Sequence, residues 1–119
     1  MTIPLNPRRT SPEKAQERAA QRLMGALGFT SWRLSQARAT RQTPGWPDLF
    51  FTHPTKRLAV FYEAKAPKGK QSIAQREFQA HVMAAGMEYL VGTHEVLIAW
   101  AESKGLCNAL ASGGVEILR

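Results

Sequence analysis

The 119-residue chain is poor in the residues that hold small proteins together through disulfides or zinc. Cys107 is the only cysteine, which excludes a disulfide framework and a cysteine zinc cluster and favours a reducing cytoplasm. His53, His81 and His94 lie far apart without ligand spacing, so each is expected at the surface or in a turn. Apolar stretches reach about half of a membrane span, and the first residues lack the apolar core of a secretory signal. These absences favour a cytoplasmic protein without a membrane segment.

Acidic residues are also scarce, which leaves the chain strongly basic. Nine aspartates and glutamates stand against 16 lysines and arginines, for a formal net charge of +7. With 44% hydrophobic and 21% charged residues, the composition is that of a folded globular protein. A basic surface attracts polyanions, so nucleic acid is the expected partner, although many small basic proteins bind no particular ligand.

The pattern of apolar and polar residues predicts one domain over residues 11–119, preceded by a flexible basic arm over residues 1–10. The first helix has a serine N-cap, a proline at its first position and a terminating glycine at position 28. The order of elements is α-β-β-β-α-β-α, an α/β (α+β) fold with a mixed sheet flanked by helices. The predicted elements are a helix over 11–27, strands over 29–35, 48–53, 57–65 and 88–92, helices over 72–85 and 93–104, and a short terminal strand over 115–118.

Apolar residues at helical spacing predict which positions of these helices are buried. Thr93 is predicted to cap the third helix, and Trp32, Trp100 and Cys107 are expected in the core. The predicted buried positions of the helices are Ala20, Leu23, Met24 and Leu27 in the first, Ile73, Phe78, Val82 and Ala85 in the second, and Val96, Leu97 and Trp100 in the third.

Two acidic residues and a lysine fall at the ends of the two strands of the predicted hairpin. Asp48, the only aspartate, follows Pro47 where the first strand begins, and the second strand ends in Glu63-Ala64-Lys65. Residues two apart in a strand point to the same side, so Glu63 and Lys65 share a face. A turn at residues 54–56 returns the second strand to the start of the first. The hairpin is therefore expected to bring Glu63 close to Asp48.

Two converging carboxylates beside a lysine suit phosphodiester hydrolysis. Carboxylate oxygens are the ligands that Mg²⁺ prefers, and water and a substrate phosphate can complete its octahedron. A bound metal can polarise a phosphoryl oxygen and activate water, while Lys65 orients that water and offsets developing charge. The alternative is a surface ion pair at a strand end, because Glu-x-Lys occurs by chance in many strands.

The segments PGWPDL at 44–49 and FYEAKAPKGK at 61–70, followed by Gln75, resemble the virus-type replication-repair nuclease (VRR-Nuc) family of the PD-(D/E)xK nuclease superfamily. The resemblance extends from about Glu13 to Gly105. It implies a restriction-endonuclease-like core and a stand-alone phage or bacterial enzyme that cuts DNA with Mg²⁺ or Mn²⁺. It also implies that Asp48, Glu63 and the Ala64 carbonyl bind the metal, with Lys65 as the catalytic lysine.

The family also places a glutamate of the first helix near the metal and a glutamine at the start of the next helix. Glu13 and Glu17 both fit, since they lie one helical turn apart. Glu17 is favoured because a glutamate in the first turn, like Glu13, is explained by the helix dipole. The alternative for both is a solvated face paired with nearby basic residues. Gln75 matches the family's glutamine and is expected to position the site.

The expected substrate is structured DNA, such as a four-way junction or a flap, and this expectation comes from the resemblance. A junction has two-fold symmetry, so a homodimer would place two sites on opposed strands. Two other classes stay open: a non-catalytic nucleic-acid-binding protein that retains the nuclease fold, and a structural or regulatory phage protein. The residues expected to contact nucleic acid are Arg33, Arg38, Arg41, Lys68 and Lys70, with Trp46 either stacking on a base or sugar or packing against its loop.

Overall fold

The computed structural model describes residues 11–34 and 45–118. The predicted arm over residues 1–10 and the two arginines Arg38 and Arg41 lie outside the described residues. No helix within the described part of the chain has the length and apolar character needed to cross a membrane. The elements are α1 (Pro12–Ala26), β1 (Thr30–Arg33), β2 (Leu49–His53), β3 (Leu58–Ala64), α2 (Ile73–Ala84), β4 (Tyr89–Gly92), α3 (Glu95–Ser103), β5 (Cys107–Ala109) and β6 (Val115–Ile117).

The four longer strands form one mixed sheet in the order β1-β2-β3-β4. The pairs β1–β2 and β2–β3 are antiparallel, whereas β4 lies parallel to β3 and is reached through α2. β5 and β6 form a separate antiparallel pair. The predicted mixed sheet flanked by helices is therefore confirmed. β5 was not predicted, because three residues carry too little periodic signal.

Local sequence explains how α1 begins and ends. The Ser11 hydroxyl accepts a hydrogen bond from the Lys14 backbone N–H at 3.1 Å, and Pro12 occupies the first helical position. Gly28 follows the helix with a φ of 96°, a conformation that L side chains rarely adopt. A side chain at Gly28 would also meet the His53 ring, at 2.9 Å from its Cβ. The glycine thus allows the chain to turn closely past the β2–β3 hairpin.

One face of the sheet, termed the core face, is covered by α1 and α3. Alternate residues of β2 and β3 point to it and are fully or almost fully buried. α1 contributes Ala20 and Met24 to this layer, and α3 contributes Leu97, Trp100 and Ala101. The sheet residues of the core face are Leu49, Phe51, Val60, Tyr62 and Ala64.

Among the described helices, only α2 packs on the opposite face, termed the aromatic face. The Phe50 and Phe61 rings stack on it at 4.5 Å, and Phe78 of α2 contacts Phe61 edge-on at 5.9 Å and Tyr89 at 6.2 Å. None of the described residues of α2 is fully buried, and Ile73 is 67% exposed. The predicted buried stripe of this helix is therefore wrong at Ile73 and Ala85, because α2 packs mainly through its Phe78 ring.

Two further sequence predictions are corrected by the structure. Trp32 is 53% exposed rather than in the core, because β1 is an edge strand and the indole N–H donates to the Thr52 hydroxyl at 2.9 Å. His94, not Thr93, is the N-cap of α3, and its side chain makes no cap bond; its backbone N–H donates instead to Gln16 Oε1 at 2.7 Å. The predicted burial of Trp100 and Cys107 is confirmed.

Candidate active site

The β2–β3 hairpin brings Asp48 to the Glu63–Lys65 segment. Leu49 pairs with Tyr62, so continuing the register by one residue sets Asp48 opposite Glu63. The backbone stays regular at this point, since the Leu34 N–H donates to the Asp48 carbonyl at 2.9 Å. Asp48 Oδ2 accepts a hydrogen bond from the Ala64 N–H at 2.8 Å. Its carboxylate is therefore held against the main chain between Glu63 and Lys65.

Glu63 is fully buried, and its two carboxylate oxygens have different surroundings. Oε1 accepts a hydrogen bond from the Tyr89 hydroxyl at 2.7 Å and another from the Gln71 side chain at 3.3 Å. Oε2 lies 3.3 Å from Lys65 Nζ, close enough for an ion pair. The geometry of that contact is not that of a hydrogen bond. Among the described residues, Glu63 Oε2 is the buried side-chain oxygen that is left without a hydrogen-bond donor. A cation beside Lys65 would satisfy it.

Gln75 holds Lys65 at the start of α2. Lys65 Nζ donates to Gln75 Oε1 at 3.1 Å, and the same oxygen accepts from the Ser72 backbone N–H at 2.8 Å. Ser72 completes the capping box by accepting from the Gln75 N–H at 3.1 Å. The first turn of the helix therefore fixes both Gln75 and the lysine that it contacts.

Two buried tyrosines enclose this end of the sheet. Burial raises the pKa of Tyr62 above its ordinary value, and the negative charges of Asp48 and Glu17 raise it further. Burial also raises the pKa of Tyr89, with added contributions from its hydrogen bond to Glu63 and the charges of Glu63 and Asp48. Both phenols stay protonated at neutral pH and act as donors.

Burial separates the two candidate glutamates of α1. Glu17 is buried and Glu13 is exposed. Glu17 Oε1 pairs with Arg33 Nη1 at 2.7 Å and lies 3.8 Å from Lys14 Nζ. The contact with Lys14 fits part of the plainer alternative, which paired the glutamate with Lys14, Arg18 or Arg22. The shorter ion pair is to Arg33 of β1, and the carboxylate is not on a solvated face.

A metal at this site would have few protein ligands. Residues 11–34 and 45–118 contain no cluster of three or more histidine, cysteine, aspartate or glutamate side chains that could hold a metal ion. The structure therefore does not gather Glu17, Asp48 and Glu63 into one ligand group. Asp48, Glu63 Oε2 and the adjoining Ala64 main chain still fit a hard cation that completes its shell with water and phosphate.

The expected nucleic-acid contacts are distributed unevenly. Lys68 and Lys70 are exposed in the loop between β3 and α2, next to Lys65. Trp46 is 40% exposed, two residues before Asp48. Arg33 is held in its ion pair with Glu17. Lys68, Lys70 and Trp46 therefore flank the site with accessible side chains.

Sequence reasoning missed two residues of the site, Tyr89 and Gln71. Tyr89 reaches Glu63 across 26 positions of sequence through the parallel pairing of β3 and β4. Gln71 bridges Glu63 and Gln79, with its amide 3.0 Å from Gln79 Oε1. A glutamine in a loop gives no sequence signal of a role in a site. A tyrosine at the start of a short strand gives only a weak signal.

No protein-family model, curated protein or solved structure matches this chain. The fold and the site together define a mixed α/β protein with an Asp, Glu and Lys centre at one end of its sheet.

Proposed function

We propose that the protein is a Mg²⁺- or Mn²⁺-dependent endonuclease that hydrolyses DNA phosphodiester bonds, with a PD-(D/E)xK core of the VRR-Nuc type over residues 11–119. The observation that carries the proposal is the buried Glu63 Oε2, which lacks a hydrogen-bond donor and lies beside Lys65 and the Ala64–Asp48 contact. A site of oxygen donors favours magnesium or manganese over zinc.

Burial argues against a surface ion pair as the explanation of Glu-x-Lys. The Glu63 side chain is 0% exposed and that of Lys65 is 11% exposed. Buried ion pairs commonly stabilise a protein no better than apolar residues of similar size. A partly unsatisfied pair at the end of a sheet, next to a second carboxylate, is more typical of a functional site.

Each residue of the centre has a separable task. Asp48 and Glu63 Oε2 would hold the metal, which when bound supplies Lewis-acid stabilisation of negative charge on the phosphate. Lys65, held by Gln75, orients the attacking water and offsets charge that develops during in-line attack. Tyr89 and Gln71 restrain Glu63 through its other oxygen.

The substrate and the assembly are further parts of this proposal. The net charge of +7 and the exposed Lys68 and Lys70 suit contacts to DNA phosphates. Branched DNA, such as a four-way junction or a flap, cut by a homodimer is proposed from the motif resemblance.

The test is cleavage of supercoiled and four-way-junction DNA by the purified protein with Mg²⁺, with Mn²⁺ and with EDTA. We expect metal-dependent cleavage that falls on the order of a hundred-fold or more in Asp48→Asn, Glu63→Gln and Lys65→Ala, with DNA binding retained. Glu116→Gln is the matched control, because it makes the same change at an exposed carboxylate of β6. Cleavage in EDTA, or full activity in Asp48→Asn, would rule out the proposed chemistry. Binding of DNA without cleavage would favour the non-catalytic alternative.

A further inference from the structure

An apolar pocket of about 210 Å³ opens on the aromatic face beside the candidate centre. Its walls are Leu34, Trp46, Phe61 and Phe78. The Trp46 indole lies 6.4 Å from the Phe78 ring and is 40% exposed, so it forms an open wall rather than part of the core. Among the described residues, those that line the pocket are apolar or aromatic and carry no charge.

Three chain segments supply both this pocket and the candidate centre. In each segment a pocket residue stands two or three positions from a centre residue, and within β3 and α2 this spacing keeps both on one side of the element. Two strand residues span ~7 Å, so the pocket begins about one side chain away from the centre. The pairs are Trp46 with Asp48, Phe61 with Glu63, and Phe78 with Gln75.

The backbone around Trp46 is fixed before any ligand arrives. Gly45 has a φ of 93°, and a Cβ there would lie 2.4 Å from the Ala74 carbonyl oxygen of α2. Glycine is therefore required for the chain to lie directly on that helix. Pro47 is fully buried, and Asp48 is held by Ala64. Anchors on both sides of Trp46 thus fix the backbone that carries its ring at the pocket.

We propose that this pocket binds one unpaired nucleobase of the DNA whose backbone lies at the candidate centre. The inference rests on the proposed function, and it adds that the substrate has a base free of its pairing partner. An aromatic wall accepts the π face of any base, so recognition is independent of sequence. A paired base is already stacked and cannot enter. The basic side chains on the nearby loop, Lys68 and Lys70, complement the charge of the adjoining backbone.

The test compares two fluorescent single-stranded probes of equal length and charge, an oligothymidylate and the same backbone made of abasic residues. Affinity is measured by anisotropy in EDTA, which keeps the DNA intact if cleavage requires metal. We expect Trp46→Ala to weaken oligothymidylate binding by about ten-fold to a hundred-fold, because the stacked base is lost. Binding of the abasic probe should stay essentially unchanged.

Trp32→Ala is the matched control, because Trp32 is an exposed tryptophan, 53% accessible against 40% for Trp46, that lies outside the residues lining the pocket. Trp32→Ala should not alter the difference in affinity between the oligothymidylate and the abasic probe. Trp46→Leu keeps an apolar side chain without a π face, so it should lose the base-dependent affinity even if the alanine variant folds poorly. Equal weakening of both probes, no weakening, or the same effect from Trp32→Ala would overturn the inference. The inference would also be overturned if a Trp46 variant only lowered the melting temperature. Trp46 would then serve in packing, with the pocket covered by the chain itself.

The two proposals can fail separately. If the protein cuts DNA but Trp46→Leu binds both probes normally, the nuclease proposal stands and the base pocket is rejected. If no metal supports cleavage but base-dependent binding requires Trp46, the pocket stands and the nuclease proposal is rejected.

Discussion

The two faces of the four-stranded sheet are covered in different ways. The core face lies under α1 and α3, and its alternate strand residues are sealed from solvent. Among the described helices, only α2 packs on the aromatic face, and none of its described residues is fully buried. Glu63 and Lys65 belong to this second face, at the end of the sheet. The closed packing and the candidate chemistry therefore lie on opposite faces of the same strands.

Adjacent phenylalanines of β2 test this difference most strongly. Phe51 points to the core face and is fully buried, whereas Phe50 points to the aromatic face and is only partly buried. We expect Phe51→Ala to lower the free energy of unfolding by about 3–5 kcal/mol, the cost of a cavity in a closed core. Phe50→Ala should cost about 1–2 kcal/mol, because it loses partial burial and one ring stack.

Urea denaturation of the two variants and the wild type, followed by circular dichroism, measures both values. The two substitutions remove the same atoms from neighbouring positions, so they control for each other. Equal losses, or a larger loss for Phe50→Ala, would mean that the aromatic face carries as much of the packing as the core face.

The second prediction concerns the tyrosine that restrains Glu63. Tyr89→Phe removes the 2.7 Å hydrogen bond to Oε1 and lets the carboxylate rotate, so Oε2 is no longer held in place. Loss of such an outer partner weakens metal binding by about ten-fold to a hundred-fold. We expect that loss in a Mn²⁺ titration followed by calorimetry.

Tyr62→Phe provides the matched control on the core face. Its hydroxyl donates to the Gly92 carbonyl at 2.9 Å and does not contact Glu63. It should leave Mn²⁺ affinity close to that of the wild type. A similar loss in both variants would assign the effect to general loosening of the fold rather than to the restraint of Glu63.

The parts of the site that could be predicted from sequence are those fixed by short-range geometry. Strand periodicity placed Glu63 and Lys65 on one face, and hairpin register placed Asp48 beside them. The predicted metal, substrate and homodimer stay predictions. Tyr89 escaped prediction because its contact depends on which strand pairs parallel with β3, a choice that no local pattern encodes.

Errors in the predicted core have a similar origin. Trp32 was expected in the core because it is large and apolar, yet its burial is decided by the position of β1 at the sheet edge. Ile73 fitted a helical stripe, but α2 meets the sheet mainly through the single ring of Phe78. Periodicity shows which side of a helix is apolar, whereas the extent of its burial depends on the elements that cover it.

A last expected effect is a loss of stability at high pH that involves one tyrosine on each face. An unfolded tyrosine ionises near pH 10.0, whereas burial raises the pKa of both Tyr62 and Tyr89 in the folded protein. Ionisation above pH 10 therefore favours the unfolded chain. The contribution of the two protonated tyrosines to the free energy of unfolding is full below that pH and is lost as the pH rises. Each tyrosine contributes a slope of up to about 1.4 kcal/mol per pH unit.

These are the only two tyrosines of the chain, so the double variant Tyr62→Phe/Tyr89→Phe removes all tyrosine titration. Urea denaturation in EDTA across roughly pH 9–11 should show a shallower decline in the double variant than in the wild type. Titrating lysines contribute to both proteins and cancel in the difference. Ultraviolet absorbance of the phenolate gives an independent readout in the folded wild type, where neither ring should ionise near pH 10. If one of the two rings ionised near pH 10, the face that carries that tyrosine would be the one open to water at this end of the sheet.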